Sequence, residues 1–88
     1  MLDFEWDENK RLSNLKKHGV DFSDAIQVFE DVMRIEQLLV CKNEERYQVV
    51  GVVDEIVLFV VYTVRSHKKR IISARRASRN ERRKYCNL

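Results

Sequence analysis

The feature that most restricts the fold is an unbroken run of mostly β-branched and aromatic residues from 56 to 64, IVLFVVYTV. Nine residues are too few for a membrane-spanning helix, which needs about 20. We therefore predict a strand over residues 56–65 and no membrane association. A strand that is apolar on both faces belongs at the centre of a sheet. Both faces must be covered there, by helices on both or by helices on one and a tail or partner on the other.

Strand-like patterns continue on both sides of this run. Residues 34–40 and 46–53 have the period and composition of strands, and residues 70–75 close the series. Two short polar segments, residues 54–55 and 66–69, fit the turns that join the last three strands. The sequence thus predicts four consecutive antiparallel strands in a meander.

The first part of the chain predicts a short strand followed by a helix. Residues 2–6 alternate between apolar and acidic side chains, as in a half-buried strand. Asp7 suits the N-cap of a helix that runs to about His18, and Gly19 suits the C′ position, where the backbone needs a positive φ. The apolar stripe of this helix is expected to consist of two residues, Leu12 and Leu15.

Two further helices complete the predicted fold. The second has Asp21 or Ser23 as its cap and carries four apolar residues on one face, at i, i+3, i+4 and i+7: Phe22, Ala25, Ile26 and Phe29. Ser78 and Glu81 form an S-x-x-E capping box that opens a third helix, which runs to about residue 86. The element order β-α-α-β-β-β-β-α defines an α+β fold, in a single domain over residues 1–88 without a visible linker.

Charge is distributed unevenly along the chain. From residue 65 onward there are ten Lys or Arg residues and one acid, whereas residues 1–64 hold seven basic residues and thirteen acids. The formal net charge of +3 therefore combines −6 in the first part with +9 in the last. Such a field attracts polyanions, and arginine, which holds seven of the ten basic positions, can grip two phosphate oxygens at once. Nucleic acid is the expected partner, with a solvated basic surface or an acidic protein partner as the alternatives.

Three arginines of the third helix stand where local electrostatics disfavours them. Arg79, Arg82 and Arg83 lie in the first turn and a half, where the helix dipole is already positive, and each costs up to about 1 kcal/mol. This arrangement favours an anionic ligand. The alternative is that these arginines lie over the sheet and pair with acids of the first part of the chain, such as Asp3, Glu5 and Asp7.

Arginines also stand at the predicted strand ends. Arg65 ends the central strand, and Arg75 and Arg76 end the strand beside it. In a meander, Arg65 and Arg75 should sit at opposite edges unless the turn over 66–69 is wide. Both can still flank one bound nucleic-acid backbone.

Histidine and tyrosine supply further candidates. His18 ends the first helix beside Lys17, and a histidine surrounded by cations suits acid–base chemistry on a phosphodiester. The alternative is a surface histidine that merely ends a helix. His67 falls in a polar turn, where we expect it to be exposed. Tyr85, one turn from Arg82, is the best-placed aromatic residue for a base or phosphate contact.

Metal and nucleotide-cofactor chemistry find no support in the residue pattern. The candidate zinc ligands have no ligand spacing: His18, Cys41, His67 and Cys86. Glycine-rich phosphate-binding motifs are missing, so we expect no cofactor. The two cysteines indicate free thiols in a reducing compartment, and we expect a cytoplasmic protein.

Five segments of the chain, taken together and in order, resemble the BrnT family of toxins. They are DFEWDENK at 3–10, NLKKHGVDFSDAIQVFED at 14–31, ERYQVVG at 45–51, VVYTVR at 60–65 and RIISARRASRNERRKY at 70–85. The resemblance implies a RelE-like fold and a bacterial type II toxin–antitoxin system, in which the toxin is a ribonuclease that cuts RNA and blocks translation. It also implies a BrnA-like antitoxin with a ribbon-helix-helix domain, and binding to operator DNA only through that antitoxin.

The resemblance selects residues for the site as well. Together with the chemistry of a metal-free ribonuclease, it implies catalytic roles for four residues: Lys17, His18, Arg65 and Arg75. Proton transfer falls to Lys17 or His18, and the two arginines supply charge. RNA contacts are expected from six others: Arg70, Arg76, Arg79, Arg82, Arg83 and Tyr85.

Two positions depart from the family pattern. Val32 stands where Pro is common, and the turn at Asp54-Glu55 lacks the usual Gly. Neither belongs to the basic end of the chain. The leading alternative function is a non-catalytic basic module that binds RNA or the antitoxin, and a third is a structural protein whose basic end docks an acidic partner.

Overall fold

The computed structural model describes residues 3–87 and confirms the α+β class. Five strands and three helices follow one another, with one 3-10 segment after the second helix. In chain order they are β1 (Phe4–Trp6), α1 (Glu8–His18), α2 (Phe22–Ala25), the 3-10 segment Ile26–Glu30, β2 (Ile35–Cys41), β3 (Glu44–Val53), β4 (Ile56–Arg65), β5 (Lys68–Arg76) and α3 (Arg79–Cys86).

The sheet differs from the predicted meander in one respect. Strands β2 to β5 pair antiparallel with their neighbours in chain order, but β1 adds a fifth strand beside β5, in the order β1-β5-β4-β3-β2. Because β1 runs parallel to β5, with Phe4 opposite Lys69 and Trp6 opposite Ile71, the sheet is mixed. A parallel neighbour requires a long crossover, here the whole of the intervening chain, so no local pattern announces it.

Three hairpins join β2 to β5, and each has a two-residue turn. Both turn residues have a positive φ in every case, as in a type I′ turn, although none is glycine: Lys42-Asn43, Asp54-Glu55 and Ser66-His67. The predicted turn over 66–69 is therefore shorter than expected, since β5 resumes at Lys68. This tight turn fixes the register of β4 against β5.

Helix α1 has the predicted bounds but not the predicted buried side. Asp7 accepts hydrogen bonds from the backbone N of Asn9 and Lys10, and Gly19 has a φ of 72°. Leu12 and Leu15, the expected apolar stripe, are 50% and 37% exposed. The buried residue of α1 is Asn14.

The reason is that α1 packs against the edge of β5 instead of lying over an apolar sheet face. β1 pairs only with residues 69–71 of β5, which leaves the backbone beyond them open on that side. The Asn14 amide closes it: Nδ2 donates to the carbonyl of Ala74 at 2.8 Å, and Oδ1 accepts from the Ala74 N–H at 3.2 Å. One side-chain amide thus takes the place of a neighbouring strand.

The second predicted helix is an α-helical turn that continues as a 3-10 helix. Three of the four predicted apolar residues are buried, Phe22, Ala25 and Phe29, whereas Ile26 is only partly buried. With three residues per turn, Val28 joins Phe22 and Ala25 at 0% exposure. Val28 packs closely against Gly51 of β3. A Cβ atom added to Gly51 would lie 2.6 Å from the Val28 Cγ2.

The two faces of the sheet differ in what covers them. The helix face of β4, with Leu58, Val60 and Tyr62, forms the core together with α2 and the 3-10 segment. The open face carries the alternate residues of β4, from Val57 to Arg65, and their partners on the neighbouring strands. Helix α3 lies over one end of this face, where Glu81 binds Arg75. Of the two covers that the sequence left open, a tail or a partner, a tail is thus present at that end. No helix within residues 3–87 is long and apolar enough to span a membrane.

Candidate nucleic-acid interface

Helix α3 is attached to the sheet through polar contacts. The predicted capping box is present: the Ser78 hydroxyl accepts from the Glu81 N–H, and the Glu81 carboxylate accepts from the Ser78 N–H. No residue of α3 is buried. Two side chains of α3, Glu81 and Tyr85, bind partners on other elements of the molecule.

Glu81 binds Arg75 at the end of β5. The two terminal nitrogens of Arg75 donate to the two carboxylate oxygens of Glu81, each at 2.9 Å. The Arg75 guanidinium also lies 4.2 Å from the centre of the Phe59 ring on β4. Partial burial acts to raise the pKa of Glu81, but the hydrogen bonds from Arg75 and the Ser78 N–H hold it below its usual range. Arg75 is thus oriented before any ligand arrives, with its side chain 37% exposed.

Tyr85 binds Asp31 at the end of the 3-10 segment. The phenolic hydroxyl donates to Asp31 Oδ2 at 2.5 Å, and the same oxygen accepts from the Val52 N–H at 2.9 Å. The hydrogen bond to Asp31 raises the pKa of Tyr85 to about 12. Tyr85, which was predicted to contact a base or phosphate, therefore uses its hydroxyl to hold α3 in place.

Arg65 lies far from Arg75. The register of β4 and β5 places Arg65 opposite Lys68, beside the hairpin, and Arg75 opposite Phe59. The two positions lie six residues apart along β4, a distance of about 20 Å. The tight turn thus places Arg65 and Arg75 at opposite edges, as expected for a meander. Arg65 is 60% exposed, with Glu44 at 3.9 Å.

The other predicted RNA contacts occupy different surroundings. Arg70 shares the open face and pairs with Glu5 of β1 at 2.9 Å. Arg76 is opposite Leu58 and so belongs to the side of the helix face, where it is exposed.

The arginines of α3 are exposed. Arg82 donates to the carbonyl of Ala77 at 2.8 Å. Within residues 3–87 no acidic side chain pairs with any of the three, Arg79, Arg82 and Arg83. The alternative pairing with acids of the first part of the chain is thus not what the described residues show.

Lys17 and His18 lie in a groove between α1 and β5. The groove has a volume of about 340 Å³ and is lined by eight residues: Asn9, Lys10, Ser13, Asn14, Lys17, His18, Ile72 and Ser73. Its floor coincides with an irregularity in β5, since Tyr62 pairs with Ile71 and Val61 with Ser73, which leaves Ile72 as an extra residue. Bulges of this kind are frequent beside functional sites, where they redirect side chains.

The structure therefore separates the four predicted catalytic residues into two places. Lys17 and His18 share the groove with Ser73, which precedes Arg75 by two residues on β5, whereas Arg65 lies at the other end of the ladder. Sequence reasoning missed Asn14 and Asp31, because their partners are 60 and 54 residues away along the chain. Glu81 had a visible local signal, its place in the capping box, but its bond to Arg75 had none.

The cysteines and other titratable side chains add no further cluster. Cys41 and Cys86 are both free and exposed. In the part of the chain that the structure describes, no three His, Cys, Asp or Glu side chains come together as metal ligands would.

These features define a class of protein: a small α+β domain with a mixed sheet. Helix α2 and the 3-10 segment cover one face, α1 lies along an edge, and arginines and a basic helix lie on the other face. The chain belongs to the BrnT family, since the model described as "Ribonuclease toxin, BrnT, of type II toxin-antitoxin system" matches residues 6–81. This confirms the resemblance drawn from the sequence. The family is one of ribonuclease toxins that act with an antitoxin. No curated protein matches the sequence.

Proposed function

We propose that this protein is a metal-independent endoribonuclease that cuts cellular RNA and thereby blocks translation. The observation that carries the proposal is Arg75, a guanidinium fixed by the bidentate Glu81 and by the Phe59 ring, two residues along β5 from the groove of Lys17 and His18. Orientation of this kind before binding is what stabilisation of a charged transition state requires.

The chemistry is an attack of the RNA 2′-hydroxyl on the adjacent phosphate. It needs a base for the hydroxyl proton, an acid for the leaving oxygen, and cations for the charge on the phosphorane. Lys17 and His18 supply the proton transfers, and Arg75 supplies charge. Arg65, about 20 Å away along β4, supplies charge to a different phosphate of the same RNA.

The remaining basic residues bind the RNA backbone. Arg70 extends the open face between Arg65 and Arg75, and the exposed arginines of α3 hold the RNA above that face. Tyr85 contributes by holding α3 in place, and Arg76 extends the basic rim toward the helix face. The proposed RNA contacts are therefore the five arginines, Arg70, Arg76, Arg79, Arg82 and Arg83, and Tyr85 acts by positioning α3.

Neutralisation is the role of the antitoxin. The partner is a BrnA-like protein with a ribbon-helix-helix domain, which blocks the basic face and brings the complex to operator DNA. The toxin itself does not contact the operator. Both proteins act in the cytoplasm, where the RNA substrate is.

The test is RNA digestion by the purified protein in EDTA. We expect full activity in the chelator and a loss of about a hundredfold or more in Arg75→Ala, because one charge-stabilising group in an active site contributes on that scale. Arg34→Ala is the matched control, since Arg34 also pairs with a carboxylate, Glu36, at 2.9 Å and lies 5.9 Å from an aromatic ring.

Three results would change this proposal. Activity that EDTA abolishes and a divalent metal restores would overturn metal independence. Equal loss in the Arg75 and Arg34 variants would indicate a structural effect of both. RNA binding without cleavage by the unmodified protein would favour the non-catalytic basic module.

A further inference from the structure

The groove between α1 and β5 contains polar side chains without partners inside the protein. Six of its lining residues have side chains that form no hydrogen bond or ion pair within residues 3–87: Asn9, Lys10, Ser13, Lys17, His18 and Ser73. On the open face, by contrast, Arg70 and Arg75 are both paired with carboxylates. The groove is therefore a place where side chains able to form hydrogen bonds, but without partners within residues 3–87, lie together.

From this convergence we infer that the groove binds one nucleotide of the RNA substrate, and that its polar side chains set the sequence preference of cleavage. Lys10 contacts the phosphate of that nucleotide, and Lys17 and His18 keep the proton transfers proposed above. Three uncharged residues, Asn9, Ser13 and Ser73, face its base. The inference rests on the proposed ribonuclease function and adds a specificity site to it.

The chemistry of the lining fits a nucleotide. Two lysines and a histidine line the groove and no acidic residue does, so an anionic ligand meets only favourable charge. A side-chain amide and two hydroxyls both donate and accept hydrogen bonds, as recognition of a base edge requires. Ile72 offers an apolar surface for the base, and the volume of about 340 Å³ falls within the range of small-ligand sites.

The groove is also held in a fixed shape. Asn14 uses both ends of its amide on Ala74, and its Nδ2 also donates to the Val20 carbonyl at 3.0 Å. Asn14 thus fixes α1 against β5, with both hydrogens of its amide bonded inside the protein. Because the site is already ordered, less of the binding free energy is lost in ordering its side chains when a ligand binds.

The position of the groove links it to the proposed reaction. Ser73 and Arg75 lie two residues apart on the same face of β5, opposite Val61 and Phe59, with Cα atoms about 7 Å apart. A nucleotide in the groove therefore presents its neighbouring phosphate toward Arg75. Specific RNA recognition acts on unstacked single-stranded bases, so the substrate segment is single-stranded at this position.

The first test compares cleavage preferences in a random-sequence single-stranded RNA pool, read by sequencing the products. We expect the unmodified protein to prefer one base beside the cut. The triple variant Asn9→Ala, Ser13→Ala, Ser73→Ala should lower that preference by fivefold or more, because hydrogen bonds to a base edge discriminate by about 1–3 kcal/mol. The matched control is Gln27→Ala with Asn80→Ala, two exposed polar residues outside the groove, which should keep the preference.

The second test measures nucleotide binding without cleavage. AMP, CMP, GMP and UMP are titrated separately into the protein, and amide shifts are followed by NMR. We expect the largest shifts at Ser13, Ile72 and Ser73, and a several-fold weaker affinity in Lys10→Gln.

The two tests separate the site from the function. The inference would be overturned if the triple variant kept the base preference of cleavage and the nucleotides shifted only amides outside the groove. The ribonuclease proposal would then still stand. A protein that cuts no RNA would refute the ribonuclease proposal, and the titration would still decide whether the groove binds nucleotides.

Discussion

At the scale of single residues, the contact of the Asn14 amide with the edge of β5 attaches α1 to the sheet. An asparagine between Ser13 and Leu15 looks like a surface residue of a polar helix, and only the path of β5, 60 residues later, makes it a buried partner of the sheet.

Replacing Asn14 should therefore cost more than replacing either of the leucines that were expected to be buried. In Asn14→Ala the buried N–H and C=O of Ala74 lose their partner, and each unsatisfied group costs about 1–3 kcal/mol. We expect the free energy of unfolding to fall by about 2–4 kcal/mol in urea denaturation. Leu15→Ala, at a position 37% exposed, is the control and should lose much less. Equal losses in the two variants would show that the edge contact is not decisive.

At the scale of elements, strands were predicted better than the pieces that connect or cover them. The run from 56 to 65 is β4 with the same bounds, because a β-branched segment allows little else. The second helix changed to 3-10 winding at Ile26, where packing of Val28 against Gly51 outweighs the helical period. The sequence predicted a short strand at the position of β1 but not its parallel place beside β5. That pairing depends on the crossover and not on the strand's own residues.

The turn at Asp54-Glu55 yields a prediction about stability. Glu55 has a φ of 70°, which costs a residue with a Cβ about 1–2 kcal/mol relative to glycine. Glycine also has more conformational entropy in the unfolded chain, which offsets part of this gain. We therefore expect Glu55→Gly to raise the free energy of unfolding by about 0.5–1 kcal/mol and Tm by several degrees. Gly19→Ala is the mirror control, since φ is 72° there and a Cβ would meet nothing within 4 Å. It should lower Tm; a rise in both variants would mean that φ is not the cause.

The attachment of α3 should depend on pH at both ends of the scale. Partial burial opposes ionisation of both Glu81 and Asp31. Hydrogen bonds, chiefly from Arg75, nevertheless hold the pKa of Glu81 below 4.5. Hydrogen bonds, chiefly from Tyr85, hold the pKa of Asp31 below 3.8. Their contribution is therefore present above those values and is lost as the pH falls through the lowered pKa values. The pKa of Tyr85 is raised from 10.0 to about 12, so its contribution is present below 10 and is lost as the pH rises toward 12.

NMR spectra recorded against pH would check this prediction. On acidification we expect the amides of residues 79–86 to lose their helical shifts before those of β3 and β4 change. Glu81→Gln should shift or remove that early transition. Simultaneous loss of helix and sheet in the unmodified protein would show that α3 does not detach independently.

At the scale of the whole molecule, the basic last part of the chain forms one continuous run of elements. From residue 65 onward it forms the end of β4, strand β5 and α3. The acids of the first part pair with only a few of these cations, Glu5 with Arg70 and Glu44 with Arg65. The charge polarity along the chain is read directly from the sequence, whereas no sequence signal showed which arginines lack an acidic partner.

That polarity gives a prediction about RNA affinity and salt. Each phosphate contact to single-stranded RNA releases counterions, so log affinity falls with log salt by about 0.7 per contact. Replacing Arg79, Arg82 or Arg83 with Gln should weaken binding to all sequences and reduce the slope by about that amount, because these side chains are exposed and have no acidic partner within residues 3–87. Arg34→Gln, which removes an arginine bonded to Glu36, should keep the slope.

His18→Ala should keep both affinity and slope while cleavage slows by about a hundredfold. If Arg82→Gln instead slows cleavage at unchanged affinity and His18→Ala cuts at the original rate, the reacting phosphate lies at α3 and the groove binds only the neighbouring nucleotide.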